Sequence, residues 1–486
     1  MMADVKLPEG WCISEIGEIS LKCTQRAPKT GEDFIYVDIG SINRELKIIE
    51  SPQYLSGDNA PSRARKVIEK GDVLVSLTRP NLNAVALVTD NYDGQIASTG
   101  FEVIKPLLVN SEYIFSLTRS LHFIDSISGV VQGALYPAAK SSDVQKYEFP
   151  LPPLAEQKVI AEKLDALLAQ VDSAKTRLEQ IPQILKRFRQ SVLTAAVSGK
   201  LTEEWRKTKT LKPVSELFSK YTYVKNSANL AEKPFRVDEI VETIPNSWMW
   251  VRLAKITEIV SGIAKGSKSN EETMLLPYLR VANVQRGYLD LNEVKKIPVP
   301  ASKFEKLKLI SGDILFNEGG DIDKLGRGWI WQEQIENCIH QNHVFRARPY
   351  CDEISSKFIS FYGNSNGKDY FLREGTQSVN LANINKTTLS LLPIPLPPIE
   401  EQTEIVRRVE QLFAFADTIE KQVQDALLRV NNLTQSILAK AFRGELTEQW
   451  RAENPDLISG ENSAETLLAK IKAERETAKP KKKTAK

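Results

Sequence analysis

The chain repeats itself over a distance of about half its own length, and no other feature restricts its fold as much. Pro150-Leu151-Pro152-Pro153-Leu154-Ala155-Glu156-Gln157 recurs 245 positions later as Pro395-Leu396-Pro397-Pro398-Ile399-Glu400-Glu401-Gln402. The register holds until Gly199-Lys200-Leu201-Thr202-Glu203-Glu204-Trp205-Arg206 meets Gly444-Glu445-Leu446-Thr447-Glu448-Gln449-Trp450-Arg451. A period of 20 to 50 residues would mean a solenoid, whereas one this long means a duplicated domain pair that behaves like a fused homodimer.

The repeated stretches read as long helices. Ile160, Leu164, Leu167, Val171, Ala174, Leu178, Ile181, Leu185, Phe188 and Val192 step by threes and fours, and so do Ile405, Val409, Leu412, Ala416, Ile419, Val423, Ala426, Val430, Leu433 and Ile437. A 3.5-residue spacing held this long predicts a coiled coil, and the simplest partner for each seam is the other. Pro153 and Pro398 suit helix starts, Glu156 and Glu401 favour the positive end of the helix, and Gly199 and Gly444 suit the stops. Pro182, which stands where the second copy has Leu427, is expected to kink or break the first helix. Unbroken from Leu154 to Ala196, that helix would span about 65 Å.

The remainder divides around these helices. Residues 1–149 and 244–393 carry short strand-like runs such as Asp72-Val73-Leu74-Val75-Ser76 and Asp313-Ile314-Leu315-Phe316-Asn317, so both read as mixed α/β domains. The helical repeats take 150–206 and 394–451, a polar connector 207–243 and a C-terminal segment 452–486, whose lysine-rich end from Ala478 is expected to be disordered. The expected fold is therefore two mixed α/β domains separated by two long helices in an antiparallel coiled coil, with pseudo-twofold symmetry. The helices stay alike between the copies while the domains match only at landmarks such as Gly71-Asp72 and Gly312-Asp313. That contrast points to one scaffold carrying two different specificities.

With 42% hydrophobic and 26% charged residues the chain is in the globular class. Cys12, Cys23, Cys338 and Cys351 lack C-x-x-C spacing, and neither a signal peptide nor an 18-residue apolar run is visible, so a cytoplasmic protein without a membrane span is expected. A net charge of +3 requires any nucleic-acid surface to be concentrated on one face or completed by partners.

Phosphate-loop, zinc-protease, nucleophile-elbow and dinucleotide motifs are missing from the sequence, as is an amino-methyltransferase tetrapeptide, so no catalytic or cofactor-binding residue is assigned. Cys338, His340 and His343 have metal-like spacing but want a fourth ligand. Glu318, Asp321 and Asp323 could gather a cation; the glycine-rich run around them also lets Lys324 and Arg327 reach phosphates or guanine edges.

Residue types able to read base edges occur in both domains. The first offers Arg26, Lys29, Thr78, Arg79, Asn81, Gln132, Tyr136 and Lys140. The second offers Asn283, Gln285, Arg286, Asn317, Lys324, Arg327, His340, Gln341, Asn342, His343, Gln377, Ser378 and Asn380.

The paired Pro-Leu-Pro-Pro-Leu-x-Glu-Gln openings, the Gly-x-Leu-Thr-Glu-x-Trp-Arg endings and the two dissimilar domains between them resemble the specificity subunits of type I restriction-modification systems. That resemblance covers nearly the whole chain. It implies a non-catalytic subunit whose two domains each read half of a split double-stranded DNA target. Two modification subunits using S-adenosylmethionine would methylate adenine, and restriction subunits using ATP and magnesium would translocate and cut. Partner docking is expected on exposed helix positions and at Glu156, Gln157, Trp205, Glu401, Gln402 and Trp450. The competing readings are a DNA-binding regulator that works alone and a metal nuclease using Glu318, Asp321 and Asp323.

Overall fold

The computed structural model describes residues 7–129, 138–218, 228–240, 243–264, 271–320, 325–377 and 382–477. The chain divides into two units, 1–179 with 424–486, and 180–423. Each unit thus takes one globular domain, the adjoining half of one long helix and the opposite half of the other.

The two domains are built alike. In the first, strand Cys12–Glu15 pairs antiparallel with Glu148–Leu151, directly ahead of the long helix; in the second, Met249–Arg252 pairs with Pro393–Leu396 in the same way. One sheet runs Ser20–Leu21, Phe101–Pro106, Val73–Ser76, Val85–Leu87, and its counterpart runs Thr257–Ser261, Val344–Pro349, Ile314–Asn317, Gly328–Ile330. A second sheet sets Ile96–Ser98 parallel to Asp33–Val37, as Ile339–His340 lies parallel to Thr273–Leu279. Val73–Ser76 and Ile314–Asn317 are buried throughout, which is why they read as unbroken apolar runs rather than alternating ones. Before each stands a glycine at positive φ, Gly71 at 87° and Gly312 at 89°. A buried aspartate follows, Asp72 pairing with Lys105 at 3.3 Å and Asp313 with Arg348 at 2.7 Å.

The long helices run from Leu154 to Val197 and from Ile399 to Phe442. In the first unit Ile160, Leu164, Leu168 and Val171 share a core with Ile437, Leu438 and Ala441; in the second Val192, Ala196 and Val197 share one with Ile405 and Val409. The start of one helix therefore packs beside the end of the other in both units, the antiparallel pairing expected. Truncating a fully buried seam residue such as Leu164 to alanine would cost about 2–5 kcal/mol.

Two expectations need correction. Pro182 does not break the first helix, because it removes a single amide from 44 residues that are held by buried seam positions on either side, Val171 and Leu185. Ala174 and Leu433 are exposed, while Leu168 and Leu438, next to the expected Leu167 and Ile437, are buried because they join the core shared with the first domain. Segments outside the repeats, for which there is no expectation from sequence, pack into these cores. Helix Ala464–Thr477 buries Ala464, Leu467 and Ile471 in the first unit's core, with the Ala464 amide donating to Gly10 O at 3.0 Å and Lys472 pairing with Glu18 at 3.1 Å. The connector does likewise in the second unit: Val214 and Ala231 are buried, and Glu239 pairs with buried Arg252 at 2.7 Å. Residues 478–486, where disorder was expected, lie outside the described residues.

Candidate nucleic-acid interface

The repeated motifs at the helix ends form a clasp, reciprocally. Glu156, fully buried at the start of the first helix, accepts from Trp11 Nε1 at 2.7 Å and Thr447 Oγ1 at 2.6 Å and is paired with Arg451. Glu401, at the start of the second, accepts from Trp248 Nε1 at 2.8 Å and Thr202 Oγ1 at 2.7 Å, with Arg206 at 3.4 Å. The ending of each repeat thus closes over the opening of the other. Gln157 accepts from the Asn110 amide at 2.9 Å and donates to Pro152 O at 2.8 Å; Gln402 does the same with Ser355 at 2.7 Å and Pro397 at 2.8 Å.

All four side chains are buried within the chain, so the expectation that they meet partner subunits is corrected: a carboxylate taken out of water needs its partners in the same fold. Trp205 and Trp450 remain half-buried.

The predicted base-reading residues fall into three groups. Thr78, Arg79 and Asn81 are exposed on the connection between strands Val73–Ser76 and Val85–Leu87. Arg79 (φ 49°) and Asn83 (φ 47°) adopt the left-handed conformation around Pro80, which makes the turn tight. Thr78 bridges to Ala138, and Ala139 donates its amide to Leu77 O at 2.8 Å. The second domain repeats this residue for residue: Gly319 pairs with Asn383, and Ile384 donates to Glu318 O at 2.8 Å.

The fold therefore brings a hairpin connection and the foot of a later loop to one place in each domain. Gln132, Tyr136, Ser378 and Asn380, with Lys324, Asp321 and Asp323, lie outside the described residues. Gln377 is in the short strand paired with Ala382. Lys140 and Lys29 are exposed, and Lys140 opens the helix Ser141–Gln145.

A second group is engaged with other residues of the same domain. Arg26 pairs with Glu32 at 2.6 Å. His343 and Glu318 are joined, with Asn342 3.3 Å from the other ring nitrogen of His343. Gln341 is half-buried; Gln285 donates to Ala282 O at 2.6 Å, Arg286 to Asn364 O at 3.0 Å and Arg327 to Val281 O at 3.3 Å.

A third group is internal, and its members are corrected from base readers to structural residues. Asn283 donates to Asp290 O and Glu293 O, both at 2.9 Å, closing a loop. Asn317 donates to Val284 O at 2.9 Å. His340 is fully buried with Nδ1 2.6 Å from Val344 O; a carbonyl only accepts, so Nδ1 carries the proton. Burial lowers its pKa to about 4. Polar type alone did not separate these residues from exposed ones, because buried loops need the same amides to satisfy their carbonyls.

Cys338 and His340 are buried while His343 is exposed, so the metal-like spacing does not gather. Among the described residues no group of three or more His, Cys, Asp or Glu side chains could hold a metal ion, and no helix is long and apolar enough to cross a membrane.

Sequence reasoning passed over Lys47, Asn83 and Arg119 at the foot of the first domain's turn. Lys47 Nζ donates to Asn83 O at 2.6 Å, and Asn83 Nδ2 to Thr118 O at 2.8 Å. Nothing in their local sequence marks them, since the contacts join segments 35 and 36 residues apart.

Comparison with known proteins agrees with this architecture. The family model described as type I restriction modification DNA specificity domain matches twice, at residues 8–183 and 245–429. The EcoKI specificity subunit of Escherichia coli (strain K12) is 37% identical, over 98% of this chain and 97% of its own length. The StySPI specificity subunit of Salmonella potsdam is 44% identical over 76% and 72%. Among solved structures, the HsdS subunit from Thermoanaerobacter tengcongensis superposes with a TM-score of 0.61 at 26% identity, covering 91% of this chain and all of that one. A twofold match to the model, over two domains of one strand topology, has one consequence: this chain belongs to the type I restriction-modification DNA specificity subunits, the non-catalytic, target-recognising members of those complexes.

Proposed function

We propose that each unit reads one half of an asymmetric bipartite DNA target. The observation that carries this is the hairpin and loop pairing built twice on one topology, Thr78 with Ala138 and Gly319 with Asn383, but furnished with different side chains. In the first domain Thr78, Arg79 and Asn81 offer donors and acceptors for guanine and adenine edges; in the second, the Glu318–His343 pair and Asn342 stand at the corresponding place. The helices, each shared between the units, set the gap between half-sites.

Two modification subunits dock on the paired helix surfaces and bring S-adenosylmethionine for adenine methylation, and restriction subunits bring the ATP- and magnesium-dependent activities. A repeated scaffold supplies two equivalent docking surfaces, which supports the number two.

Mapping methylated adenines in cells that express the chain with its modification subunits tests this. Replacing Thr78–Asn81 with a turn of different sequence should change one half of the methylated motif and leave the other half and the gap intact. A change in both halves, or none, would overturn the assignment. Equal affinity and selectivity of the isolated chain would favour the regulator acting alone.

A further inference from the structure

Beside the first domain's turn lies a cleft of about 250 Å³ within the first unit, formed where the domain meets the two helix halves. Lys47 and Arg119 line it together with Asn83, Lys175, Glu45 and Asp172. The Lys47 ammonium is bound to Asn83 O, and among the described residues no carboxylate lies within ion-pair distance of it or of the Arg119 guanidinium. Burial, with Arg119 and Arg44 nearby, pushes the Lys47 pKa down to about 8, as expected of a cation that lacks an anion. Burial also lowers that of Arg119, which Asp172 and Asp165 only partly offset. Arg119 is held in place: its side chain lies over the Phe115 ring at 5.4 Å, and Gln435 donates to its carbonyl at 3.2 Å.

The equivalent cleft of the second unit provides an internal contrast. It is about 500 Å³ and lined by Trp329, Phe361 and Phe413 together with Lys186, Arg189 and Arg286; Arg189 is paired with Asp417 at 2.6 Å and Glu420 at 2.9 Å, and Arg286 donates to Asn364 O at 3.0 Å. Glu420 occupies the repeat position of Lys175, so the same place in the helix changes sign between the copies. The first unit's cleft differs in that Lys47 and Arg119 are both partly buried and face each other closely enough for Arg119 to depress the Lys47 pKa.

We propose that this cleft seats a phosphate group of the DNA backbone, held by Lys47 and Arg119, and thereby sets the register in which the Thr78–Asn83 turn meets the bases. The inference rests on the DNA-reading function above and adds the phosphate site. Because Lys47 is bonded to the carbonyl that ends the turn, phosphate contact and base contact are mechanically joined. Such contacts position without carrying sequence information. They also leave a measurable mark, since each phosphate neutralised contributes about −0.9 to the slope of log K against log salt.

The test uses the full chain assembled with its modification subunits, duplexes with and without the target sequence, and inorganic phosphate as a separate probe. Lys47→Met and Arg119→Gln should each weaken both duplexes by the same factor, on the order of 10-fold at low salt, and make the salt slope shallower by about 0.9 for the one phosphate lost. Lys47→Arg keeps the charge and should keep the slope, which separates loss of charge from loss of fold. The methylated sequence should not change.

Wild-type slopes in both neutral variants would overturn the phosphate site while leaving DNA reading intact. Weakening confined to the target duplex would replace it with a base contact. Saturable binding of inorganic phosphate that is lost in Lys47→Met, with DNA binding unaltered, would assign the cleft to a free anion and overturn the backbone contact. If the assembled wild-type complex bound neither duplex, the DNA-reading function itself would fall.

Discussion

Trp11 donates its indole N–H to Glu156 at 2.7 Å across 145 residues, and Trp248 repeats the bond to Glu401 at 2.8 Å in the other unit. In each case the carboxylate is also held by a threonine and an arginine from the end of the opposite repeat. The motif that marks this chain in sequence is therefore the joint that ties a domain to both helices.

Removing that carboxylate should be expensive. Glu156→Ala leaves Arg451 and Trp11 without their acceptor in a buried place, and breaking such a pair costs about 3–5 kcal/mol. Urea unfolding of the assembled and isolated chain should show the loss, and Glu401→Ala should show a similar one. A change below about 1 kcal/mol in both would mean that the clasp is incidental.

The helix stops make a separate prediction. Gly199 and Gly444 sit at φ 77° and 75°, and a Cβ there would stand 2.7 Å from Pro245 Cγ and 2.6 Å from Pro8 Cγ. Alanine at either position should cost about 1–2 kcal/mol from the left-handed conformation alone, before the contact is relieved. Thermal unfolding of each variant would measure it, and unchanged midpoints would show that the turn can re-form.

His340 should make stability depend on pH. Its pKa in the fold is about 4, below the ordinary value of 6.5, because burial disfavours the charged ring. Above about pH 6.5 neither state is protonated and the contribution is intact. As pH falls from there towards 4 the unfolded chain takes up a proton that the folded chain refuses, and stability declines by up to about 3 kcal/mol. Denaturation of wild type and His340→Asn at pH 7.5 and 5 should show a steeper decline in the wild type; parallel declines would contradict the buried neutral ring.

Ending the chain after Ser463 removes the helix that buries Leu467 and Ile471. Burial of two such side chains contributes about 3–6 kcal/mol, so residues 7–179 should become sensitive to protease while 180–423 keep their resistance. Cleavage mapping by mass spectrometry would decide, and equal resistance of both units would show that the helix only rests on the surface.

The order of elements was largely legible without coordinates. The 3.5-residue seam, the prolines and glycines at its ends and the strand runs after Gly71 and Gly312 are all local patterns, and the helices and strands appear where those patterns placed them. Candidate base readers were legible only in part. Thr78, Arg79 and Asn81 emerge exposed, while Asn283, Asn317 and His340 turn inward, because whether an amide faces water or a carbonyl depends on chain segments far away in sequence.

By itself the sequence determined the duplication, the helical pairing and the family, since each is written in spacing or in contiguous motif residues. Only the tertiary structure decided that Glu156 and Gln157 are interior ties rather than docking residues, that Ala138 closes on Thr78, and that Lys47 and Arg119 share a cleft. Periodicity fixes which face of an element is apolar, but burial and charge compensation are properties of pairs. Pairs come into being only when distant segments pack.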